Sequence, residues 1–163
     1  MHRVFGAAIL LFVISCNNTA GDVVMNAVNG KWNKKTDQKF DLNIADPQIA
    51  KNIIFVVRNN NDYPYSNIRF IVDMKDPKGK TTSVDTLNYI LAQPNGEWIG
   101  TGFGETKETL FQYKTDYRFP EKGVYKISVK QAMRNDLLLG IEDLGIKVET
   151  ANTAQNNGKQ QPK

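Results

Sequence analysis

Short segments in which apolar and polar residues alternate recur through the middle of this 163-residue chain. The clearest lies at residues 39–44, where Phe40, Leu42 and Ile44 are separated by polar side chains. A period of two places all the apolar side chains on one face, which is typical of a half-buried β-strand. No long stretch shows the 3.6-residue period of an amphipathic helix. The sequence therefore predicts an all-β fold.

Turn-forming residues separate the predicted strands, because proline fixes φ while glycine and asparagine tolerate positive φ. The strands are predicted at residues 39–44, 52–58, 67–73, 84–91, 110–117, 123–130 and 144–149, with turns at 59–64, 76–79, 94–96 and 120–123. The continuous apolar run at 52–58 suits a central strand buried on both faces. Short helical turns are possible only at 46–52 and 131–136. This spacing predicts an antiparallel β-sandwich, either immunoglobulin-like or jelly-roll-like.

The first sixteen residues have the pattern of a bacterial lipoprotein signal. A basic start at Arg3 leads into an almost unbroken apolar run at residues 4–14, and small Ser15 precedes the single cysteine, Cys16. Such a run is a secretory signal, too short for an ordinary membrane span. The cysteine after the small residue distinguishes lipoprotein processing from ordinary secretion. We predict that Cys16 is acylated and becomes the new N-terminus; the alternative is an ordinary signal with an incidental cysteine.

The chain divides into four predicted regions. Residues 1–15 are the lipoprotein signal peptide, and residues 16–30, which are small and polar, form a flexible tether. Residues 31–149 form a single β-sandwich domain of sufficient length to bury a core. Residues 150–163 contain no large apolar side chain, so this tail is expected to be disordered.

Composition excludes most familiar catalytic sites from the processed chain. The only histidine, His2, leaves with the signal, and the only cysteine is Cys16. Catalysis by Ser-His-Asp or Cys-His sites, and zinc or copper binding by histidine and cysteine, are therefore not expected. The adjacent carboxylates Glu142 and Asp143 would point to opposite faces if they lay on a strand, which does not suit a glycosidase pair, and we predict a turn there. We predict no catalytic residue, metal or cofactor; an enzyme using carboxylates from distant loops is the third-ranked hypothesis.

The charge pattern also indicates which classes of partner are expected. The net charge is +4, and lysines are interspersed with acidic residues rather than grouped. This pattern is typical of a solvated surface and does not favour nucleic-acid binding.

Aromatic residues in predicted loops are the candidates for a partner surface. Tyr63 and Tyr65 flank a proline, Trp98 precedes a glycine cluster, and Phe103 lies within that cluster. Tryptophan, tyrosine and arginine are enriched at interface hot spots, so Arg134 is also a candidate. The alternative, which we favour, is that the tyrosines and Trp98 cover one end of the core. Arg134 has its own alternative, a structural ion pair with a nearby carboxylate, Asp136 or Asp143.

The glycine cluster at residues 100–104 superficially resembles a phosphate-binding loop. The dinucleotide fingerprint requires a sixth-position glycine and a following helix, but Glu105 stands there and the surrounding pattern is all-β. A glycine-rich loop or bulge is the prediction.

Five ordered motifs together resemble a known family. They are residues 57–67, 85–89, 94–104, 131–134 and 140–145, and the cysteine signal stands where that family has it. On these residues the chain closely resembles the gliding-motility lipoprotein GldH family of the Bacteroidetes, over about residues 30–149.

The resemblance implies a lipid-anchored, non-enzymatic component of the gliding-motility or associated secretion machinery, acting through protein contacts. It supplies no catalytic residue. The lipid on Cys16 would hold the protein to a membrane of the cell envelope, for which we favour the outer membrane. No acidic run follows Cys16, which favours an orientation facing the periplasm. The alternative function is an envelope carbohydrate- or cell-wall-binding module with exposed aromatic rings.

Overall fold

The structure, a computed structural model, describes residues 22–151 of the chain. Ten strands follow one another: β1 (Asp22–Ala27), β2 (Lys31–Asn33), β3 (Gln38–Ile44), β4 (Lys51–Asn59), β5 (Asn67–Lys75), β6 (Thr81–Ile90), β7 (Lys107–Tyr117), β8 (Gly123–Gln131), β9 (Leu137–Leu139) and β10 (Ile141–Thr150). Within this range there is no helix long and apolar enough to cross a membrane.

Eight of the strands form two four-stranded antiparallel sheets that pack face to face. Sheet A has the order β1-β10-β4-β7, sheet C has the order β3-β8-β5-β6, and β2 pairs with β9 in a separate ribbon. Only β5 and β6 are neighbours both in the chain and in a sheet, so most connections cross between sheets. The antiparallel sandwich prediction is confirmed, and this strand order is that of a jelly roll rather than an immunoglobulin fold.

The core lies between the inner faces of the two sheets. Along β5 the side chains of Ile68, Phe70, Val72 and Met74 are fully buried, while the residues between them face outward. Phe55 of β4 meets Phe70 across the core, with 5.7 Å between ring centroids. The period-two pattern of the sequence therefore becomes the inner and outer faces of the sheets.

The first strand corrects part of the predicted tether. Residues 22–30 are not tether, because Asp22–Ala27 pairs with β10 and Val28 is buried. The reason lies in the partner strand: a Cβ at Gly145 would come within 2.1 Å of the Met25 sulfur, so the glycine makes room for Met25. The signal peptide, residues 16–21 and residues 152–163 lie outside the described range.

The ribbon of β2 and β9 was not predicted from the sequence. Its strands have three residues each, too few to show a period. Trp32 of β2 is nonetheless almost fully buried, 5.8 Å from Phe70 between centroids, and its Nε1 donates to the Thr36 carbonyl at 2.8 Å. The possible helical turns at 46–52 and 131–136 are wrong, because both segments are turns or strand ends.

The two ends of the sandwich carry different parts of the chain. Asp22 pairs with Val148, and Thr150 pairs with Lys51, so the described chain begins and finishes at the same end, the tether end. The loops that follow β4, β6 and β8 lie at the opposite end, the distal end. These loops comprise residues 60–66, 91–106 and 132–136.

A polar contact joins the two sheets where β6 faces β7. Asp85 accepts hydrogen bonds from the Tyr113 hydroxyl at 2.7 Å and the Lys114 ammonium at 2.9 Å. Nearby, Tyr89 stacks on Phe111 with 4.4 Å between centroids. Burial opposes ionisation of Asp85, but the bonds from Lys114 and Tyr113 outweigh it and lower the pKa of Asp85.

This contact gives a pH-dependent prediction. At pH 7, Asp85→Asn should lower the free energy of unfolding by about 1 kcal/mol, because it removes a partly buried ion pair. A depressed pKa contributes stability above the ordinary value of 3.8 that is lost as pH falls below it. Urea denaturation at pH 7 and pH 3 should therefore show the difference from wild type shrinking at pH 3. Asp41→Asn is the control, because its pair with Lys126 is well exposed. An equal difference at both pH values would contradict the prediction.

Candidate functional site

Tyr63 forms the buried centre of the loop at residues 60–66. Its side chain is 3% exposed, and its hydroxyl donates to the Asn67 carbonyl at 2.8 Å. Burial raises the pKa of Tyr63 well above its usual range. The ring contacts Tyr65 at 5.9 Å and Trp98 at 6.4 Å between centroids. Because neighbouring residues cover the ring, Tyr63 has a structural role, and its prediction as a partner contact is wrong.

Gly140 allows this loop to approach the core closely. Its φ is +77°, and a Cβ there would lie 2.2 Å from the Tyr63 backbone nitrogen. The Asn60 amide donates to the Gly140 carbonyl at 2.9 Å, and the Gly140 amide donates to the Gly30 carbonyl at 3.0 Å. Gly140 therefore joins the 60–66 loop to the segment that enters β2.

Trp98 covers the distal end of the core, as favoured from the sequence. It is half-buried against the core, and its Nε1 donates to the Asn61 side-chain oxygen at 3.3 Å. The ring planes of Tyr63 and Tyr65 differ by 76°, and those of Tyr63 and Trp98 by 51°. These three rings do not form the planar, exposed row that the carbohydrate-binding alternative requires.

Phe103 is the fully exposed aromatic residue of the distal end. It stands on the glycine-rich loop, and the predicted loop at 100–104 is confirmed. The Thr101 and Glu108 backbones exchange hydrogen bonds of 3.0 and 2.7 Å beneath it. The Lys107 ammonium donates to the Gly104 carbonyl at 2.9 Å, which ties the loop to β7. A hydrophobic ring is therefore displayed on a loop braced on both sides.

The surface beside Phe103 is mainly acidic. Arg58 on the outer face of sheet A lies between Glu108, at 2.8 Å, and Asp143, at 3.7 Å. The hydrogen bond from Arg58 to Glu108 raises the pKa of Arg58. Glu142 lies on the same surface as Asp143 and accepts a hydrogen bond from Asn60. The two carboxylates belong to β10 rather than to a turn, and a β-bulge between Ile141 and Asp143 accompanies their placement on one side. Because Asp143 pairs with Arg58, it is not the structural partner that the sequence offered for Arg134.

A separate cleft of about 300 Å³ brings together two of the predicted contact residues. Tyr65 and Arg134 line it with four residues that were not predicted as contact residues: Asn67, Arg69, Ala132 and Met133. Arg134 and Arg69 are exposed, whereas Tyr65 is half-buried. Arg69 gave no sequence signal, because a polar residue at an outward strand position is what any sandwich contains. Phe103 lies outside this cleft, on the side of sheet A.

Across residues 22–151, no three histidine, cysteine, aspartate or glutamate side chains are grouped so that they could hold a metal ion. The carboxylates of the distal end are instead held by Arg58 and Asn60. The arrangement of an exposed ring, an acidic surface and an arginine-lined cleft suits recognition of another molecule.

Comparison with solved structures finds partial likenesses, among them a protease and a carbohydrate binding module. The CspB protease of Clostridium perfringens matches with a TM-score of 0.42 and 16% identity, over 83% of this chain and 26% of the protease chain. A family 35 carbohydrate binding module from Clostridium thermocellum matches with a TM-score of 0.36 and 11% identity, over 76% of this chain and 86% of the module.

Comparison with protein sequences gives a much closer relationship. A gliding motility lipoprotein GldH homolog of Christiangramia forsetii is 38% identical over 160 residues, spanning 91% of this chain and 98% of the relative. The gliding motility lipoprotein GldH of Flavobacterium johnsoniae is 39% identical over 150 residues, spanning 88% of this chain and 91% of the relative. The family model described as GldH lipoprotein matches residues 24–148, nearly the whole described domain. The chain therefore belongs to the GldH lipoprotein family.

Proposed function

We propose that this protein is a lipid-anchored, non-enzymatic component of the gliding-motility or associated secretion machinery, and that it works through protein contacts at its distal end. Its relatives are named as gliding motility lipoproteins. The proposal of contacts at the distal end rests on the separation of the tether end from the exposed Phe103. The anchoring membrane is proposed to be the outer membrane, with the domain in the periplasm.

The short predicted tether would hold the distal end of the domain away from the membrane. Cys16, the proposed lipid attachment point, precedes Asp22 by six residues, which reach at most roughly 20 Å when extended. A lipid on Cys16 would therefore keep the tether end near the bilayer surface. The loops at 60–66, 91–106 and 132–136 are directed away from that end, where partner proteins have access.

Phe103 is proposed as the apolar anchor of the contact. An exposed aromatic ring on a braced loop loses little conformational entropy on binding, which favours affinity. The acidic surface formed by Glu108, Glu142 and Asp143 lies beside it and would surround the ring with polar contacts. Interfaces commonly combine a buried aromatic anchor with a polar rim.

Replacing Phe103 tests the proposal. We expect Phe103→Ala to change the free energy of unfolding by less than about 0.5 kcal/mol, because the ring touches little of its own protein. The variant should nevertheless reduce colony spreading of the native host. A photo-crosslinking amino acid at position 103 should capture one discrete envelope protein in intact cells.

Val84→Ala is the matched control, because Val84 is also an exposed apolar side chain, 63% accessible, but lies on the outer face of sheet C. It should leave spreading unchanged, and a crosslinker at 84 should not capture the same protein. Normal spreading of the Phe103→Ala strain together with no crosslink at 103 would contradict the proposed contact.

A further inference from the structure

Arg69 and Arg134 lack the carboxylate partners that Arg58 has. Arg58 is paired with two carboxylates, whereas neither Arg69 nor Arg134 forms an ion pair with any residue between 22 and 151. Arg69 donates only to the side-chain oxygen of Asn88, at 3.4 Å. Two arginines without carboxylate partners face one cleft, an arrangement suited to an anion.

The lining of the cleft supports the same ligand charge. No aspartate or glutamate is among its six lining residues, so no carboxylate from residues 22–151 lines the site. The ring of Tyr65 and the side chain of Met133 add apolar wall to the two guanidinium groups. The cleft, of about 300 Å³, therefore suits a short anionic side chain together with part of its backbone.

One wall of the cleft is held rigidly by a buried glutamine. Gln131 is 1% exposed; its side-chain oxygen accepts from the Met133 amide at 2.9 Å, and its Nε2 donates to the Asn135 carbonyl at 2.9 Å. The Lys34 ammonium also donates to the Met133 carbonyl at 2.9 Å. The backbone on both sides of Arg134 is thus fixed before any ligand arrives.

The opposite wall is fixed by β5 and the 60–66 loop. Asn88 accepts hydrogen bonds from both the Asn67 amide and Arg69. The Tyr63 hydroxyl holds the Asn67 carbonyl, and the Ala132 amide donates to the Arg69 carbonyl at 2.8 Å, which joins the two walls. A pre-organised site spends less binding free energy on ordering its own groups.

We propose that this cleft binds a carboxylate of an acidic segment on a partner protein, held between the guanidinium groups of Arg69 and Arg134. The planar guanidinium donates paired hydrogen bonds that match a carboxylate. The proposal rests on the contact role proposed above and names the chemistry of the partner. The cleft lies at the distal end, away from the tether, so a protein carboxylate is a better match than a lipid headgroup of the anchoring membrane.

Fluorescence anisotropy with the full-length, lipidated protein in detergent tests the cleft. The probe is a labelled Gly-Ser-Glu-Asp-Glu-Asp peptide, and its control is the same peptide with every acid replaced by the amide. The variant is Arg69→Gln combined with Arg134→Gln. Arg118→Gln combined with Lys122→Gln removes the same charge at the tether end. We expect the first variant to weaken binding of the acidic peptide by at least about tenfold, and the second by less than about twofold.

Three results would overturn the proposal: equal binding of the amide peptide, equal weakening by the two double variants, or inorganic phosphate competing as well as the acidic peptide. The third result would assign the cleft to phosphate. Binding to vesicles that contain phosphatidylglycerol would then show whether the phosphate belongs to a lipid headgroup or is a free ion. Crosslinking at position 103 reports independently on the proposed function. A persistent crosslink without peptide binding would remove the cleft proposal alone.

Discussion

Gly140→Ala is expected to lower the free energy of unfolding by roughly 2 to 5 kcal/mol, from left-handed backbone strain and from overlap in a packed interior. The φ of Gly140 is +77°, and the added Cβ would lie 2.2 Å from the Tyr63 nitrogen and 2.6 Å from its Cα. Both neighbours are backbone atoms, which cannot turn aside as a flexible side chain would. The 60–66 loop must therefore move away from the core, together with the wall of the cleft that it supports.

Urea denaturation followed by tryptophan fluorescence measures this loss, because Trp98 and Trp32 report on the distal end and the core. Gly96→Ala is the matched control: its φ is +86°, but no atom lies within 4 Å of the added Cβ. It should cost only the backbone strain, about 1 to 2 kcal/mol. Equal losses for the two variants would show that the close approach to Tyr63 contributes nothing.

The second large effect is expected at Cys16. Cys16→Ser should abolish incorporation of radiolabelled palmitate and leave the signal peptide uncleaved, because serine offers no thiol for acylation. A second variant, in which an ordinary cleavable signal replaces residues 1–16 so that the processed chain begins at Asn17, should appear in the soluble fraction. The physical reason is that each buried methylene contributes about 0.8 kcal/mol to membrane binding, and a chain without acyl groups has none.

Asn17→Ser is the matched control, since it changes the adjacent residue and leaves the cysteine intact. It should keep the palmitate label and remain in the membrane fraction. Palmitate incorporation by the Cys16→Ser variant would show that the lipid is attached elsewhere, and the proposed orientation of the domain would lose its basis.

Local sequence pattern predicted the strands that carry the core. Alternation at 39–44 and 123–130 gave β3 and β8 to within one residue at each boundary. Each of these strands has one solvent-exposed face and one buried face, so the alternation of polar and apolar residues in the sequence indicates which side chains are buried. The same reasoning missed β1, because its place depends on the space that Gly145 leaves in a strand more than a hundred residues away.

The candidate site depended more strongly on the fold. Tyr63 and Phe103 look alike in the sequence as aromatic residues of turn-rich loops, but the first is 3% exposed and the second fully exposed. The difference arises because the 60–66 loop folds back onto Gly140, whereas the 100–106 loop is braced against the edge strand β7. Exposure of a loop residue is set by which distant backbone it meets.

The sequence by itself determined the all-β class, the family resemblance and the restriction of histidine and cysteine to His2 and Cys16, since these depend on residue order and composition. Tertiary structure decided the jelly-roll order of the strands and the opposite placement of the tether end and Phe103. It also brought Arg69 and Arg134 to one cleft, although 64 positions separate them in the sequence. Such convergence requires the pairing of β5 with β8, an interaction that no local pattern encodes.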